Sequence, residues 1–423
     1  MDNIMLNKFY KDKVMITTHN IRENAAFVNS IVREILEYVH NLDRRFKKQP
    51  FYVGSFYTDL KVSRADEFDF CVILDVGSTL DWTHSPYPFY GIQRNKEIAR
   101  TSTQVRCPPI ENKSTQIPEH IQNSNSTRIS EGLACHKCHR KMEVARTLTQ
   151  QPCPPAGKTF VRIPGQIPNW NNERLNDGLA CLTIDEYLIS LNVKRWFKAL
   201  VSEAFVIPRI RQYVNVDRLS DSPATTLMIK HPTTDEKISV DLAPLIEGHI
   251  PFSIAFGWPR PGARWPTCTK IQEIKTEGIH LVAKDPEYWS LSFVICEQKL
   301  LDGADLGGTC RKKSQRILKK LREMWCSQGS RQEFTSYHLK NILFWECEIH
   351  PDDSEWTDEK LSLRVASMCY SIIYHILRGN LPLYFHTRIN LLEKKDWNAL
   401  RKVVQNIFRF LKNPDQFLVP NML

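Results

Sequence analysis

The sequence has no apolar run that approaches the length of a membrane span, and its first residues, MDNIMLNKFYKDK, contain no apolar core of a secretion signal. We therefore expect a protein of the cytoplasm, with the nucleus as a second location, and no membrane partner. In those compartments the twelve cysteines are expected to be reduced thiols. At 42% hydrophobic and 25% charged residues, the 423-residue chain is not intrinsically disordered and can build two or three lobes with their own cores.

Acidic residues are fewer than basic ones: the chain has 47 Asp and Glu against 57 Lys and Arg, which gives a net charge of +10. Such a surplus favours a polyanionic partner, although it also serves solubility. We assign nucleic-acid contact to two basic stretches: Arg44, Arg45, Lys47 and Lys48 at the end of the first predicted helix, and Arg311, Lys312, Lys313 and Arg316 in a later one. Cations at helical spacing contact phosphates without reading bases, whereas a merely solvated face is the alternative.

Hydrophobic periodicity divides the chain into a mixed first part and a helical second part. It predicts one long amphipathic helix over 20–47, then a turn and a buried strand over 51–76. Strands are predicted over 206–247, and helices from about 284 onward, including 311–325 and 334–349.

An internal duplication lies within residues 94–183. Glu97–Pro109 matches Glu143–Pro155, and other short segments match at the same spacing. Two copies are too few for a solenoid, and the first copy has little to bury. We predict that it is a surface insertion of low order. A gene-model artefact is the alternative.

The segment Glu67-Phe68-Asp69 carries the main site prediction. Residues two apart on a strand share a face, so both carboxylates point one way and Phe68 points the other. Two neighbouring carboxylates are tolerated when a cation lies between them, and a divalent metal is the commonest answer. Asp241, in the β-rich run Ile238–Leu242, supplies the third carboxylate of a two-metal site. Solvated or structural acids are the alternative.

A Gly54-Ser55 turn precedes these acids. Such a turn offers backbone N–H groups and a hydroxyl to a phosphate. A phosphate cradle followed by metal-binding carboxylates is the outline of a nucleotidyltransferase.

Four segments in the same order resemble the Mab-21 family of nucleotidyltransferases and, within it, cyclic GMP-AMP synthase and the related receptors of invertebrates. They are GSFYTDLKVSRADEFDF from Gly54, KISVDLAPLIEG from Lys237, YWSLSF from Tyr288 and SYHLK from Ser336. The resemblance implies an α+β fold of the bilobal nucleotidyltransferase type, with a mixed β-sheet in the catalytic lobe. It places a long N-terminal spine helix in 1–50, the catalytic lobe in 51–250 with the duplicated insertion at about 90–140, and a helical C-terminal lobe in 251–423.

The resemblance also implies that Glu67, Asp69 and Asp241 are catalytic and hold two Mg²⁺ or Mn²⁺ ions. Further nucleotide-binding positions follow from the matching segments: Gly54, Ser55, Ser290, Ser292, Glu297, Lys319, Ser336, Tyr337 and Lys340. Of these, Lys319 is expected to bind phosphate and Tyr337 to stack on a base. A charge on a solvated face and a core aromatic residue are the alternatives.

The sequence departs from cyclic GMP-AMP synthase at three points. Val53 replaces a threonine that precedes the Gly-Ser pair. Ser290 stands where that family has an arginine that reads guanine, which leaves the choice of bases open. The zinc insertion that grips DNA in the vertebrate enzyme is missing. Cys135, Cys138 and His139 form only half of a four-ligand site, so no structural zinc is expected. Double-stranded RNA is therefore favoured over DNA as the activating partner.

The implied function is the joining of ATP and GTP into a cyclic dinucleotide for innate immune signalling, switched on by double-stranded nucleic acid. The alternatives are a non-catalytic Mab-21-like nucleotide-binding protein, a synthase that uses other bases such as UTP, and a linear polymerase. The three acids disfavour the first alternative. The activator, the base pair, the phosphodiester linkage and the oligomeric state stay open.

Overall fold

The computed structural model describes residues 2–16, 18–62, 64, 66–76, 155–162, 182–184, 187–216, 224–234, 236–285, 288–326 and 329–419. The chain divides into two compact units, one of Met1–Phe89 with Cys153–Leu423 and the other of Tyr90–Pro152. All described residues belong to the larger unit. The predicted insertion at about 90–140, with Cys135, Cys138 and His139, lies outside them.

The described strands fall into one large sheet and two small ones. They are β1 (Phe51–Val53), β2 (Glu67–Ile73), β3 (Lys158–Thr159), β4 (Val161–Arg162), β5 (Thr183–Ile184), β6 (Tyr187–Leu188), β7 (Val214–Val216), β8 (Thr225–Lys230), β9 (Lys237–Ile250), β10 (Ile279–Val282), β11 (Trp289–Ser292), β12 (Pro382–Leu383) and β13 (His386–Asn390). The large sheet has the order β1-β2-β9-β10-β11-β3, and β8 pairs with β9 and β7. Strand β2 is parallel to β9 while the other pairings are antiparallel, so the sheet is mixed, as predicted.

The helices surround this sheet and build the second lobe. They are α1 (Asn3–Phe9), α2 (Thr18–Leu42), α3 (Gly54–Tyr57), α4 (Ser190–Glu203), α5 (Pro208–Tyr213), α6 (Cys268–Glu277), α7 (Val294–Leu301), α8 (Arg311–Trp325), α9 (Ser336–Ile349), α10 (Leu361–Arg378), α11 (Trp397–Lys412) and α12 (Asp415–Leu418). Helix α2 is the predicted spine helix, and it ends at Leu42 rather than at 47. Helices α8 and α9 match the predicted segments 311–325 and 334–349 closely.

The spine helix is held by its apolar stripe. Val28, Val32, Ile35 and Val39 are each at most 1% exposed and belong to the same core as the sheet residues Phe68 and Phe70. Full burial of an aliphatic side chain contributes about 1.5–3 kcal/mol, so this stripe fixes the helix against the catalytic lobe. The α+β fold of the bilobal nucleotidyltransferase type is thus confirmed, whereas the exact lobe boundaries stay predictions.

No helix among the described residues is both long enough and apolar enough to span a bilayer. The cysteines that the structure describes, among them the buried Cys71 and Cys310, are free thiols.

Candidate active site

Strand β2 places two carboxylates on the face opposite the core. Phe68 and Phe70 are 0% and 1% exposed, so the alternation of a strand turns Glu67 and Asp69 to the other side. In the parallel pairing with β9, Asp69 lies directly opposite Asp241, and Glu67 lies opposite Ser239. Neighbouring strands are about 4.8 Å apart, so the structure brings the three predicted acids to one face of adjacent strands.

The electrostatics of the three acids differ. Burial, together with the charges of Glu67 and Asp241, raises the pKa of Asp69 to about 6. Burial also raises the pKa of Asp241, partly offset by the hydroxyl of Thr226, which donates to Asp241 Oδ1 at 2.6 Å. Burial alone would raise the pKa of Glu67, but the ammonium of Lys61 lowers it. Asp69 therefore carries the least compensated charge of the three.

The three carboxylates are suitable ligands for a divalent ion, since carboxylate oxygens are the ligands that Mg²⁺ prefers. In the part of the chain that the structure describes, however, no three His, Cys, Asp or Glu side chains form a ready metal cluster. Two of the three carboxylates have other side-chain partners. Glu67 Oε2 accepts from Lys61 Nζ at 2.8 Å, and Asp241 accepts from Thr226. Glu67 would have to exchange this partner in order to bind a metal.

Gly54 fits closely against Asp69. Its φ of +84° is one that residues with a Cβ rarely adopt. A Cβ there would lie 1.9 Å from Asp69 Oδ2, so only glycine allows the turn and the carboxylate to approach each other. The turn is fixed by Thr58 Oγ1, which donates to the Gly54 carbonyl at 2.9 Å, and by Leu60 N, which donates to the Ser55 carbonyl at 2.8 Å.

A cavity of about 740 Å³ opens above these residues, between the sheet and helices α8 and α9. Eight predicted site residues line it: Gly54, Ser55, Glu67, Asp69, Lys319, Ser336, Tyr337 and Lys340. The lining also contains Lys61, Arg64, Lys320 and Arg322, which sequence reasoning missed. Asp241 does not line it and adjoins it through its strand partner Asp69.

Lys319 and Tyr337 face the cavity from the helical lobe. Burial, and then the charge of Lys61, lowers the pKa of Lys319 to about 8. Tyr337 is 36% exposed as a residue, while its hydroxyl donates to Glu297 Oε1 at 2.8 Å. Burial, and then Glu297, raises the Tyr337 pKa well above its usual value. Tyr337 therefore presents a ring with a fixed edge, unlike a core aromatic residue.

Glu297, predicted to contact the nucleotide, is 2% exposed and does not line the cavity. Its carboxylate accepts from Tyr337 and forms an ion pair with Lys340, whose ammonium lies 5.1 Å from the centre of the Tyr337 ring. Glu297 therefore holds two cavity residues in place. Ser290 and Ser292 lie on β11, paired with Val282 and His280, and do not line the cavity either.

Two of the predicted nucleic-acid contacts are corrected, because their side chains are buried and paired. Arg45 is 8% exposed and donates to Asp43 at 2.8 and 2.6 Å. Arg311 is 2% exposed and pairs with Asp353 at 2.6 Å. These two guanidinium groups stabilise the fold and do not face a partner.

The other predicted contacts divide into occupied and exposed side chains. Four are engaged within the chain: Lys47 with Glu247 at 3.0 Å, Lys312 with Asp59 at 3.2 Å, Lys313 with Asp358 at 2.6 Å, and Arg316 with the Tyr10 hydroxyl at 2.6 Å. Arg44 and Lys48 are exposed. Along the described chain, no acid forms an ion pair with either of these two.

Lys61 is the main site residue that sequence reasoning missed. The sequence pattern that could have found it is an alternation of apolar and polar residues, as in a strand. Leu60 and Val62 are buried at 3% and 5%, which points the side chain between them away from the core. Thr226 could not have been found in this way, because its contact with Asp241 depends on the pairing of β8 with β9.

The fold and the site define a protein of the nucleotidyltransferase class. A family model described as the Mab-21 protein nucleotidyltransferase domain matches residues 56–303, more than half of the chain, and one described as the Mab-21 protein HhH/H2TH-like domain matches 310–409. The chain belongs to the Mab-21 family.

The chain is similar to three curated members of the family. It is 32% identical to protein mab-21-like 3 of Danio rerio over 240 residues (56% of this chain and 60% of the relative) and 32% identical to protein mab-21-like 3 of Xenopus laevis over 199 residues (46% and 52%). It is 28% identical to protein mab-21-like of Drosophila melanogaster over 248 residues (55% and 64%). The matches thus span about half to two thirds of these relatives.

Proposed function

We propose that this protein is an active nucleotidyltransferase that joins ATP and GTP into a cyclic dinucleotide for innate immune signalling. The observation that carries the proposal is the register of β2 and β9, which sets Asp69 opposite Asp241. Asp69 also packs directly against the Gly54 turn. A protein that bound nucleotides only as a structural ligand would gain nothing from this costly concentration of carboxylates.

Glu67, Asp69 and Asp241 would hold two Mg²⁺ or Mn²⁺ ions, as the raised pKa of Asp69 and the oxygen donors favour. Such ions, when bound, lower the pKa of an attacking hydroxyl and neutralise the departing pyrophosphate. Asp241 lies outside the cavity lining and next to Asp69. We assign it to the side of the attacking nucleotide.

The remaining cavity residues bind and orient the nucleotides. Ser55 follows the Gly54 turn and lines the cavity, so it contacts the triphosphate. Lys319, with a pKa of about 8, stays mostly protonated at neutral pH and neutralises phosphate charge. The ring of Tyr337 stacks on a base, because Glu297 holds its hydroxyl edge while the residue stays exposed to the cavity. Lys340 adds a second cation beside that ring.

The activating partner we propose is double-stranded RNA, bound through its backbone in the cytoplasm or nucleus. With Arg45 and Arg311 buried, the exposed Arg44 and Lys48 carry the contact near the end of the spine helix. The other cations on α8, Lys312, Lys313 and Arg316, would join only if they released Asp59, Asp358 and the Tyr10 hydroxyl respectively.

The test is mass analysis of products from all four nucleoside triphosphates with Mn²⁺, with and without double-stranded RNA or DNA. The proposal predicts a phosphatase-resistant cyclic dinucleotide that contains A and G and depends on RNA. Products with other bases would support a synthase of different specificity, and extension of a labelled RNA primer would support a linear polymerase.

One observation favours a second candidate, a non-catalytic nucleotide-binding protein. Glu67 is held by Lys61, and in the described part of the chain the acids are not arranged as a ready metal cluster. Nucleotide binding without turnover under every activator tested would establish this candidate.

A further inference from the structure

Lys61 is a buried cation in the candidate site that the proposed transfer does not use. It is 9% exposed, and its Nζ lies 2.8 Å from Glu67 Oε2 and 3.1 Å from Asp66 Oδ1. The backbone at Lys61 is held by its neighbours Leu60 and Val62, whose side chains lie in the core. The Lys61 side chain is itself 10% exposed, so the ammonium has little room to leave the site.

The two partners of this ion pair differ in freedom. The side chain of Lys61 is 10% exposed, whereas that of Glu67 is 54% exposed. The largely buried Lys61 side chain has less freedom to move than the exposed carboxylate of Glu67, which can rotate into the cavity. The ion pair between Lys61 and Glu67 thus breaks by movement of the Glu67 carboxylate. The second partner of Lys61, Asp66, with 51% side-chain exposure, still compensates the ammonium after Glu67 has moved.

A metal ligand must offer lone pairs that no other cation occupies. Lys61 takes one oxygen of Glu67 and also repels any further positive charge nearby. The same repulsion acts on Lys319, whose pKa is lowered by burial and then by Lys61.

We propose that Lys61 is a positioning residue that competes with divalent metal for Glu67, and so sets the metal concentration at which the site assembles. This inference rests on the proposed function, since it takes Glu67 as a metal ligand. The first step of activation is then an exchange of partners. The Glu67 carboxylate would leave the Lys61 ammonium, which stays paired with Asp66, and would become a metal ligand together with Asp69.

A merely structural role for Lys61 predicts the opposite result. If the lysine only fixed the segment that leads into β2, its removal would loosen Glu67 and weaken metal binding. The competing role predicts that removal of the ammonium strengthens metal binding, provided that the fold persists.

The experiment is a Mn²⁺ titration of the full chain, followed by the electron paramagnetic resonance signal of free Mn²⁺, without nucleotide. We expect Lys61→Met to bind Mn²⁺ about tenfold more tightly than the wild type and Lys61→Arg to bind like the wild type. Lys320→Met is the matched control for lost charge, because Lys320 lines the same cavity but pairs with Glu323 at 2.7 Å. Its effect should be no more than about twofold.

A double-mutant cycle with Glu67→Gln separates this competition from a change in the fold. In that background Lys61→Met should no longer tighten Mn²⁺ binding, and melting curves should show that each variant is folded. Unchanged or weaker binding by folded Lys61→Met would overturn the role of Lys61 while leaving the proposed transfer untouched. Absence of Mn²⁺ binding by every variant, the wild type included, would overturn both.

Discussion

Replacement of Gly54 by alanine tests whether the turn and Asp69 form one site. Gly54 has a φ of +84°, and an added Cβ would lie 1.9 Å from Asp69 Oδ2. Real contacts of this kind stay above 3.0 Å, so the two groups must separate by about 1.1 Å. A displacement of about 1 Å in a catalytic group costs about a hundredfold in rate.

The matched control is Gly262→Ala. Gly262 has a similar φ of +77°, but nothing lies within 4 Å of its added Cβ, and it does not line the cavity. Both variants carry the backbone cost of about 1 kcal/mol, and only Gly54→Ala adds a packing clash of about 1–3 kcal/mol.

Denaturant unfolding and conversion of nucleoside triphosphates, measured on both variants, give the answer. We expect Gly54→Ala to lose about 2–4 kcal/mol of stability and about a hundredfold in conversion, and Gly262→Ala to lose about 1 kcal/mol and keep its conversion. Equal conversion by the two folded variants would refute the argument that the turn and Asp69 depend on each other.

Three further predictions follow from the helical lobe. Lys319→Met should raise the free energy of unfolding by about 3 kcal/mol at pH 7, because burial lowers the Lys319 pKa from 10.5 to about 8 and the buried ammonium therefore costs stability in the wild type. This cost should shrink as the pH rises from 8 toward 10.5. The variant should also bind triphosphate more weakly, and lower stability of the variant at pH 7 would contradict the reasoning. Burial lowers the pKa of His338 to about 4, so the neutral imidazole's contribution to stability is complete above pH 6.5 and is lost as the pH falls toward 4. At pH 5 the loss should be about 2 kcal/mol. His338→Gln should flatten this part of a stability–pH profile, and an unchanged profile would argue against the role of His338. Glu297→Gln should release Lys340 and Tyr337, and so weaken binding of a fluorescent nucleotide about tenfold with little loss of stability. Wild-type affinity in this variant would show that Glu297 does not position these two residues.

Local pattern was sufficient to predict the faces of β2 and the limits of α8. Alternation placed Phe68 and Phe70 in the core and the two acids opposite, because a strand has only two faces. The register that sets Asp69 against Asp241 joins segments far apart in sequence, and strand-face arguments alone could propose it but not determine it. The resemblance of Lys237–Gly248 to the family's third-acid strand supplied that link.

The basic residues show where sequence reasoning fails. On α8, Arg311, Lys312 and Lys313 read as an exposed cationic face, since helical spacing says nothing of acids contributed by other segments. In the fold, Asp353, Asp59 and Asp358 pair with them. The role of Glu297 was misjudged for the same reason: burial and the Tyr337 hydroxyl depend on tertiary packing.

The most direct test of the central claim is nucleotide conversion by Asp69→Asn compared with Asp75→Asn. Asp75 is an exposed acid just beyond the end of the same strand, outside the cavity lining, so it controls for loss of one charge. In the presence of Mn²⁺ and double-stranded RNA, Asp69→Asn should make no detectable cyclic product while Asp75→Asn makes as much as the wild type. Wild-type yield from folded Asp69→Asn would contradict the assignment of these carboxylates to nucleotidyl transfer.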